Sequence, residues 1–158
     1  MEDLVHITKE GHALHQKSAL REGDIVIVRT GQAGSAAVVP SELAGANCID
    51  LILVRPGKRL LPKFFEHVVN SDWIQKHVEA NSVGTIQNHF NVSTMRVLPV
   101  PQAAVEEQAK IAALLSEQTR QINMIVVLLN RQISLLQERR QALITAAVTG
   151  QLDIPGAA

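Results

Sequence analysis

Apolar and polar positions follow two rhythms along this chain, and the change falls inside one stretch, LPVPQAAVEEQAKI (residues 98–111). Upstream of it, short β-branched runs are bounded by turn-forming residues. GDIVIVRTG (23–31) has a Gly-Asp turn, four apolar residues and a closing glycine, which predicts a short buried strand. AAVVP (36–40) and CIDLILVRP (48–56) repeat that pattern at spacings suited to a compact sheet. MRVLPV (95–100) is a fourth candidate strand, placed at an edge because its prolines give a ladder no donor. Between the third and fourth runs the period becomes helical. Pro62 suits a first helical turn, Phe64, Phe65, Val68 and Val69 cluster at helical spacing, and Ser71 can cap a second set with Trp73, Ile74 and Val78. These apolar residues are expected in the core.

Downstream of Pro101 the pattern is that of one long helix. From Ala104 to Ala147, 44 residues, there is neither glycine nor proline, which predicts a helix of about 66 Å at ~1.5 Å per residue. Pro101 bars extension backwards, Glu106 and Glu107 place negative charge in the first turns, Arg139 and Arg140 sit towards the far end, and Gly150 can close the helix as a left-handed cap. Leu115, Ile122, Leu129, Leu136 and Leu143 recur every seven residues; their companions are Ile111, Gln118, Ile125, Gln132 and Arg139. This is a coiled-coil seam whose second row is interrupted by polar groups, which penalise wrong registers and wrong partners. Leu114, Val126, Leu128, Ile133, Leu135 and Ile144 widen the stripe, so more than one surface must cover it. Residues 1–101 would form a globule only about 26 Å across, too short to shelter such a helix, and a partner is implied. The predicted class is α+β: a small mixed β-sheet domain with short helices, followed by one long coiled-coil-forming helix.

Composition narrows the compartment and the partners. Of the 158 residues 46% are hydrophobic, enough for a core. No apolar run approaches the ~18 residues of a membrane span, and MEDLVHITKE lacks the basic and apolar regions of a signal peptide, so a cytoplasmic location is expected. Cys48 is alone and lies beside an apolar run, which suits a buried thiol. Net charge is zero, with ten acidic and ten basic residues in 1–101 and five of each in 102–158. Any nucleic-acid contact must therefore use a local patch, and RPGKRLLPK (55–63), with four cations and no acid, is the best one.

No catalytic constellation emerges. Gly57-Lys58-Arg59 lacks the spacing and hydroxyl of a phosphate loop, and GQAG is not a dinucleotide fingerprint. His6, His12, His15, His67, His77 and His89 form no metal-ligand spacing, and no Ser-His-Asp order stands out. No cofactor, metal or enzymatic activity of the chain's own is expected.

The run LPVPQAAVEEQAKI followed by INMIVVLLNRQISLLQERRQALITAAVTGQLDI resembles the end of a target recognition domain and the adjoining spacer helix of type I restriction-modification specificity subunits. Pro99 and Pro101, Glu107, Gln108 and Ile111, and Glu138 through Gln151 match the family's L-P-x-P, E-Q-x-x-I and E-R-R-Q-A-L-I-x-x-x-V-T-G-Q-like positions. LREGDIVIVRTGQAGSAAVVP and SVGTIQNHFNVSTMRVLPVP resemble its G-D-I-x-x-x-R-x-G strand-turn and G-T-x-Q-x-x-x-N loop. The resemblance runs from about Leu20 to Ile154, and the order and spacing of the motifs carry it.

It implies a non-catalytic subunit that reads double-stranded DNA for methyltransferase (modification) and restriction subunits, with no membrane association. Residues 1–101 would be the recognition domain, 102–149 the spacer helix and 150–158 a tail. A full specificity subunit has two such domains and two helices, and the family's opening W-x-x-x-x-L-G-like stretch is not visible here. The chain therefore reads as a fragment, a truncated product or a natural half-subunit, and two copies pairing antiparallel through their helices would restore the two-domain arrangement. Candidate DNA contacts are Arg29 and Thr30 after the first strand, Lys58 and Arg59 in the basic loop, and Thr85, Gln87, Asn88 and His89 in SVGTIQNHFN, with His12, His15 and Lys17 as further candidates. Arg can pair bidentately with guanine, Gln and Asn with adenine. The competing class is a non-enzymatic coiled-coil adaptor whose β domain binds a protein partner. The DNA sequence read is not legible from a single sequence.

Overall fold

A computed structural model describes residues 5–30, 32–81 and 91–152. The chain divides into two compact units, 1–113 and 114–158. In chain order the elements are α1 (Lys9–Leu14), β1 (Ile25–Val28), β2 (Ala36–Val38), β3 (Leu51–Val54), α2 (Pro62–Val69), α3 (Asp72–Asn81), α4 (Val92–Arg96) and α5 (Val105–Val148), with 3-10 turns at Gln16–Ser18 and Ser41–Leu43.

In the first unit β1 is the middle strand of a three-stranded sheet of order β2-β1-β3. Both pairings are antiparallel, with Ile25 opposite Val38 and Val54, and Val28 opposite Leu51. The described sheet is thus antiparallel throughout, where a mixed sheet was expected. Short connections suffice for this topology: β1 and β2 are joined by seven residues, 29–35. Strand β1 alternates as its sequence predicts, with Ile25 and Ile27 buried and Val26 and Val28 half-buried. The buried face packs with Ala36, Ile52, Phe65, Val69, Ile74, Val78 and Leu98. Helices α2 and α3 supply the cover. Pro62 opens α2 at its first turn, where a missing N–H costs nothing, and the Ser71 hydroxyl accepts from the Ile74 N–H at the head of α3.

Two side chains complete the sheet. The Asn70 amide accepts from the Ala36 N–H and donates to the Ala36 carbonyl, both at 2.8 Å, so it pairs with the edge of β2 as a neighbouring strand would. Asp24, buried beside β1, accepts from the Arg21 N–H at 2.9 Å and from Arg55 Nε at 3.4 Å. Arg55 also donates to the Ala19 carbonyl at 2.9 Å. The Gly-Asp-Ile motif is therefore structural: Gly23 turns the chain at a φ of 79° and Asp24 ties the start of β1 to the end of β3.

Two further expectations fail. MRVLPV is not a strand. Asn91 accepts from the Thr94 N–H and caps a single helical turn, α4, whose Leu98 end plugs the core; this local cap outweighs the strand preference of Val and Met. Trp73 is not core but 55% exposed, because the buried face of α3 runs through Ile74 and Val78, and Trp73 lies about 100° from it.

The long helix matches its sequence pattern closely. It runs Val105–Val148, 44 residues, with Glu106 and Glu107 in its first turn. At its end Gly150 adopts a φ of 71°, and the Gln151 N–H reaches the Ala146 carbonyl at 2.8 Å, closing the helix as a left-handed cap. Among the described residues no helix is long and apolar enough to cross a membrane.

Candidate nucleic-acid interface

The turn between β3 and α2 presents the basic patch. The Leu60 N–H donates to the Gly57 carbonyl at 3.1 Å, so Lys58 and Arg59 occupy the two corners of a tight turn. Both are exposed, and neither has an ion-pair partner among the described residues. The other two cations of the patch are committed elsewhere: Arg55 to Asp24, and Lys63 to Glu66 at 2.6 Å. Four sequence-adjacent cations thus reduce to two available ones.

The turn is fixed on both flanks. Arg55 anchors its upstream side. Downstream, Gln108 in the first turns of α5 is 3% exposed; its Oε1 accepts from the Leu61 N–H at 2.9 Å and its Nε2 donates to the Arg59 carbonyl at 3.0 Å. Ala112, one turn further on, is also buried.

Arg29 and Thr30 lie elsewhere. They leave β1 where β3 begins, whereas Lys58 and Arg59 leave β3 where β1 begins, so four-residue strands of roughly 3.4 Å per residue separate the two groups. Both converge on Asp50, which holds a left-handed backbone at φ 57°: Arg29 Nη1 lies 3.5 Å from Asp50 Oδ1, and the Thr30 hydroxyl donates to Oδ2 at 3.1 Å. An ion pair this exposed is weak and can be exchanged for a phosphate. Asp50→Asn should then strengthen binding of duplex DNA at low salt if Arg29 touches a phosphate, checked by titration against the unaltered chain; unchanged affinity would remove Arg29 from the interface.

Thr85, Gln87, Asn88 and His89 lie outside the described residues. Of the N-terminal candidates, His12 is held by its Nδ1 on the Asn47 side chain, and the His15 carbonyl accepts from Asn47 Nδ2 at 2.7 Å, which makes this segment a brace for the 44–48 loop. Lys17 is exposed. Sequence reasoning did not single out Asp50, Asn47 or Asn70. Gln108 stood in the E-Q-x-x-I motif, but a motif position gives no sign of what a buried amide binds.

In the second unit the predicted seam is open. Leu115, Gln118, Ile122, Ile125, Leu129, Gln132, Leu136, Arg139 and Leu143 are all exposed in the single chain, and only Ile111, in the first unit, is half-buried. Leu114, Val126, Leu128, Ile133, Leu135 and Ile144 are exposed as well. Beside them the Arg120 guanidinium donates to both Glu117 carboxylate oxygens, at 2.8 and 2.9 Å, and together with Gln121 holds that carboxyl below the usual range. An apolar surface of this extent is rare on a monomer and marks an interface.

No family model matches the chain. A curated relative, the type I restriction enzyme StySPI specificity subunit of Salmonella potsdam, is 28% identical over 95% of this chain and 33% of its own length. The crystal structure of the HsdS subunit from Thermoanaerobacter tengcongensis superposes with a TM-score of 0.59 at 23% identity, over 89% of this chain and 36% of that one. A structure described as the basis of complex assembly and conformational transition of the type I R-M system gives a TM-score of 0.65, at the same identity and coverage. The chain spans about a third of the length of these relatives. In sequence it is similar to a type I restriction-modification specificity subunit, and it has the fold of about one third of an HsdS subunit.

Proposed function

We propose that this chain is a DNA-reading part of a type I restriction-modification specificity subunit, with 1–101 as recognition domain, 102–149 as spacer helix and 150–158 as tail. It recognises double-stranded DNA in the cytoplasm and performs no chemistry of its own. The observation that carries this reading is the likeness over 95% of the chain to a specificity subunit, joined to a 44-residue helix that leaves its apolar seam open. Lys58 and Arg59 contact phosphates from their turn; Arg29 and Thr30 form a second contact once Asp50 releases them.

The seam is taken by a second copy of the chain or by the helix of a second recognition unit, and the wider stripe by methyltransferase subunits that in turn recruit the restriction subunit. Self-pairing is favoured by symmetry in the seam. The Leu115, Ile122, Leu129, Leu136 and Leu143 row is centred on Leu129, so an antiparallel pair about that residue would bring like onto like, as a two-fold interface requires.

Reversing charge at the basic turn tests the DNA reading. Lys58→Glu with Arg59→Glu should weaken duplex binding and flatten the slope of log affinity against log salt by about 2 units, since each lost phosphate contact removes ~0.9. Unchanged affinity and slope would take the turn out of the interface. Loss of all DNA binding by the unaltered chain, with self-association intact, would favour the adaptor reading.

A further inference from the structure

We propose that Gln108 is a positioning residue for phosphate contact: its buried amide ties the turn carrying Lys58 and Arg59 to the first turns of α5, so that the long helix holds the two cations in place. The proposal rests on the DNA-recognition reading above. Gln108 itself touches no nucleic acid.

The bonding of the amide carries the argument. A glutamine that served only to fasten the chain entering the helix would need one partner, and the Ala103 carbonyl provides it, accepting from Nε2 at 2.9 Å. Two further bonds go to the backbone of the basic turn, one on each side of Leu60: the Arg59 carbonyl and the Leu61 N–H, 49 and 47 residues away in sequence. Three of the four hydrogen-bonding positions of the amide are filled, and it is buried. With Arg55 fixed on Asp24 and the Ala19 carbonyl, the turn is held at both flanks while its two corner side chains remain exposed. Backbone ordered before binding need not be ordered by the phosphate, so the contact keeps more of its gross interaction energy. The link is also directional. The amide joins one turn to one position of the helix, so a change in the register or integrity of the first turns of α5 reaches the cations through a single side chain.

Gln108→Met removes every side-chain hydrogen bond at nearly constant volume. With a random-sequence duplex as probe and the full chain as protein, the salt slope should flatten by up to about 2 units, as in the Lys58→Ala/Arg59→Ala chain. The triple variant should bind no more weakly than that double variant, because the two changes act on the same contact. Exchange of the Leu61 amide proton should accelerate. Leu61→Pro gives an independent route: it deletes the donor to Oε1, together with a half-buried leucine side chain, at a backbone φ of −77° that proline adopts, and should move the slope in the same direction. A purely structural role would lower thermal stability and leave the salt slope unchanged, and that result in a folded Gln108→Met or Leu61→Pro chain overturns the proposal. If instead Lys58→Ala/Arg59→Ala leaves affinity and slope untouched, the assignment of the turn to DNA fails first, and this proposal falls with it.

Discussion

Leu129→Asp should reduce self-association of the chain by roughly two to four orders of magnitude. Leu129 stands at the centre of the seam and is 52% exposed in the single chain, so burial against a partner is its only route out of water. Each buried leucine contributes ~1.5–3 kcal/mol. A two-fold interface loses it twice, about 3–6 kcal/mol, and every 1.4 kcal/mol is tenfold in a dissociation constant. The fold should survive, because an exposed Leu-to-Asp change in a helix costs well under ~1 kcal/mol in propensity. Arg131→Ala, about 200° around the helix from Leu129, is the control and should leave association unchanged. Sedimentation equilibrium of the three proteins decides: equal association constants for the Leu129→Asp and unaltered chains would show that this seam is not the self-pairing surface.

Phe65→Ala should destabilise the first unit by about 3–5 kcal/mol, a large part of the ~5–15 kcal/mol that holds a typical domain together. Phe65 is 2% exposed and sits among Ile25, Ile27, Val69 and Ile74, where the sheet meets α2 and α3. A cavity left there has no solvent to fill it and few side chains free to collapse into it. Trp73, the chain's one tryptophan, lies beside Ile74 on α3 and gives an optical signal for this unit alone. A urea titration followed by its fluorescence should show a much lower midpoint for Phe65→Ala, and Phe65→Leu should fall between. A midpoint shift worth less than about 1 kcal/mol would mean that this cluster is not the centre of the core.

The features legible in the sequence are those governed by local rules. The long helix could be read to within a residue or so because nothing in 105–148 breaks it and Gly150 ends it. The three strands were marked by β-branched runs between turn residues, and Pro62 and Ser71 announced their helices. MRVLPV misled because its residues prefer strands while the deciding group, the Asn91 side chain, lies outside the run. Trp73 misled because its neighbour Ile74, not its size, sets the buried face. The candidate site was less legible, since its geometry depends on long-range partners. That Arg55 is spent on Asp24, that Asp50 holds Arg29 and Thr30, and that Gln108 clamps the turn are consequences of tertiary contacts 20 to 49 residues apart, while Lys63 pairs with Glu66 within α2. A run of four cations in sequence therefore overstated the unpaired charge of this turn by two.

The junction LPVPQAAVEEQAKI is more than a boundary in this account. Leu98 seals the core, Pro99 and Pro101 precede α5, and Gln108 reaches back to hold the basic turn. Selection from a randomised duplex library by the purified full chain tests the central claim most directly. If the chain reads DNA and pairs through its helix, the retained duplexes will share a short sequence occurring as an inverted repeat with a constant gap, because a two-fold protein mirrors its symmetry in its site. Retained duplexes with no shared sequence, or none retained at all at low salt, would contradict it.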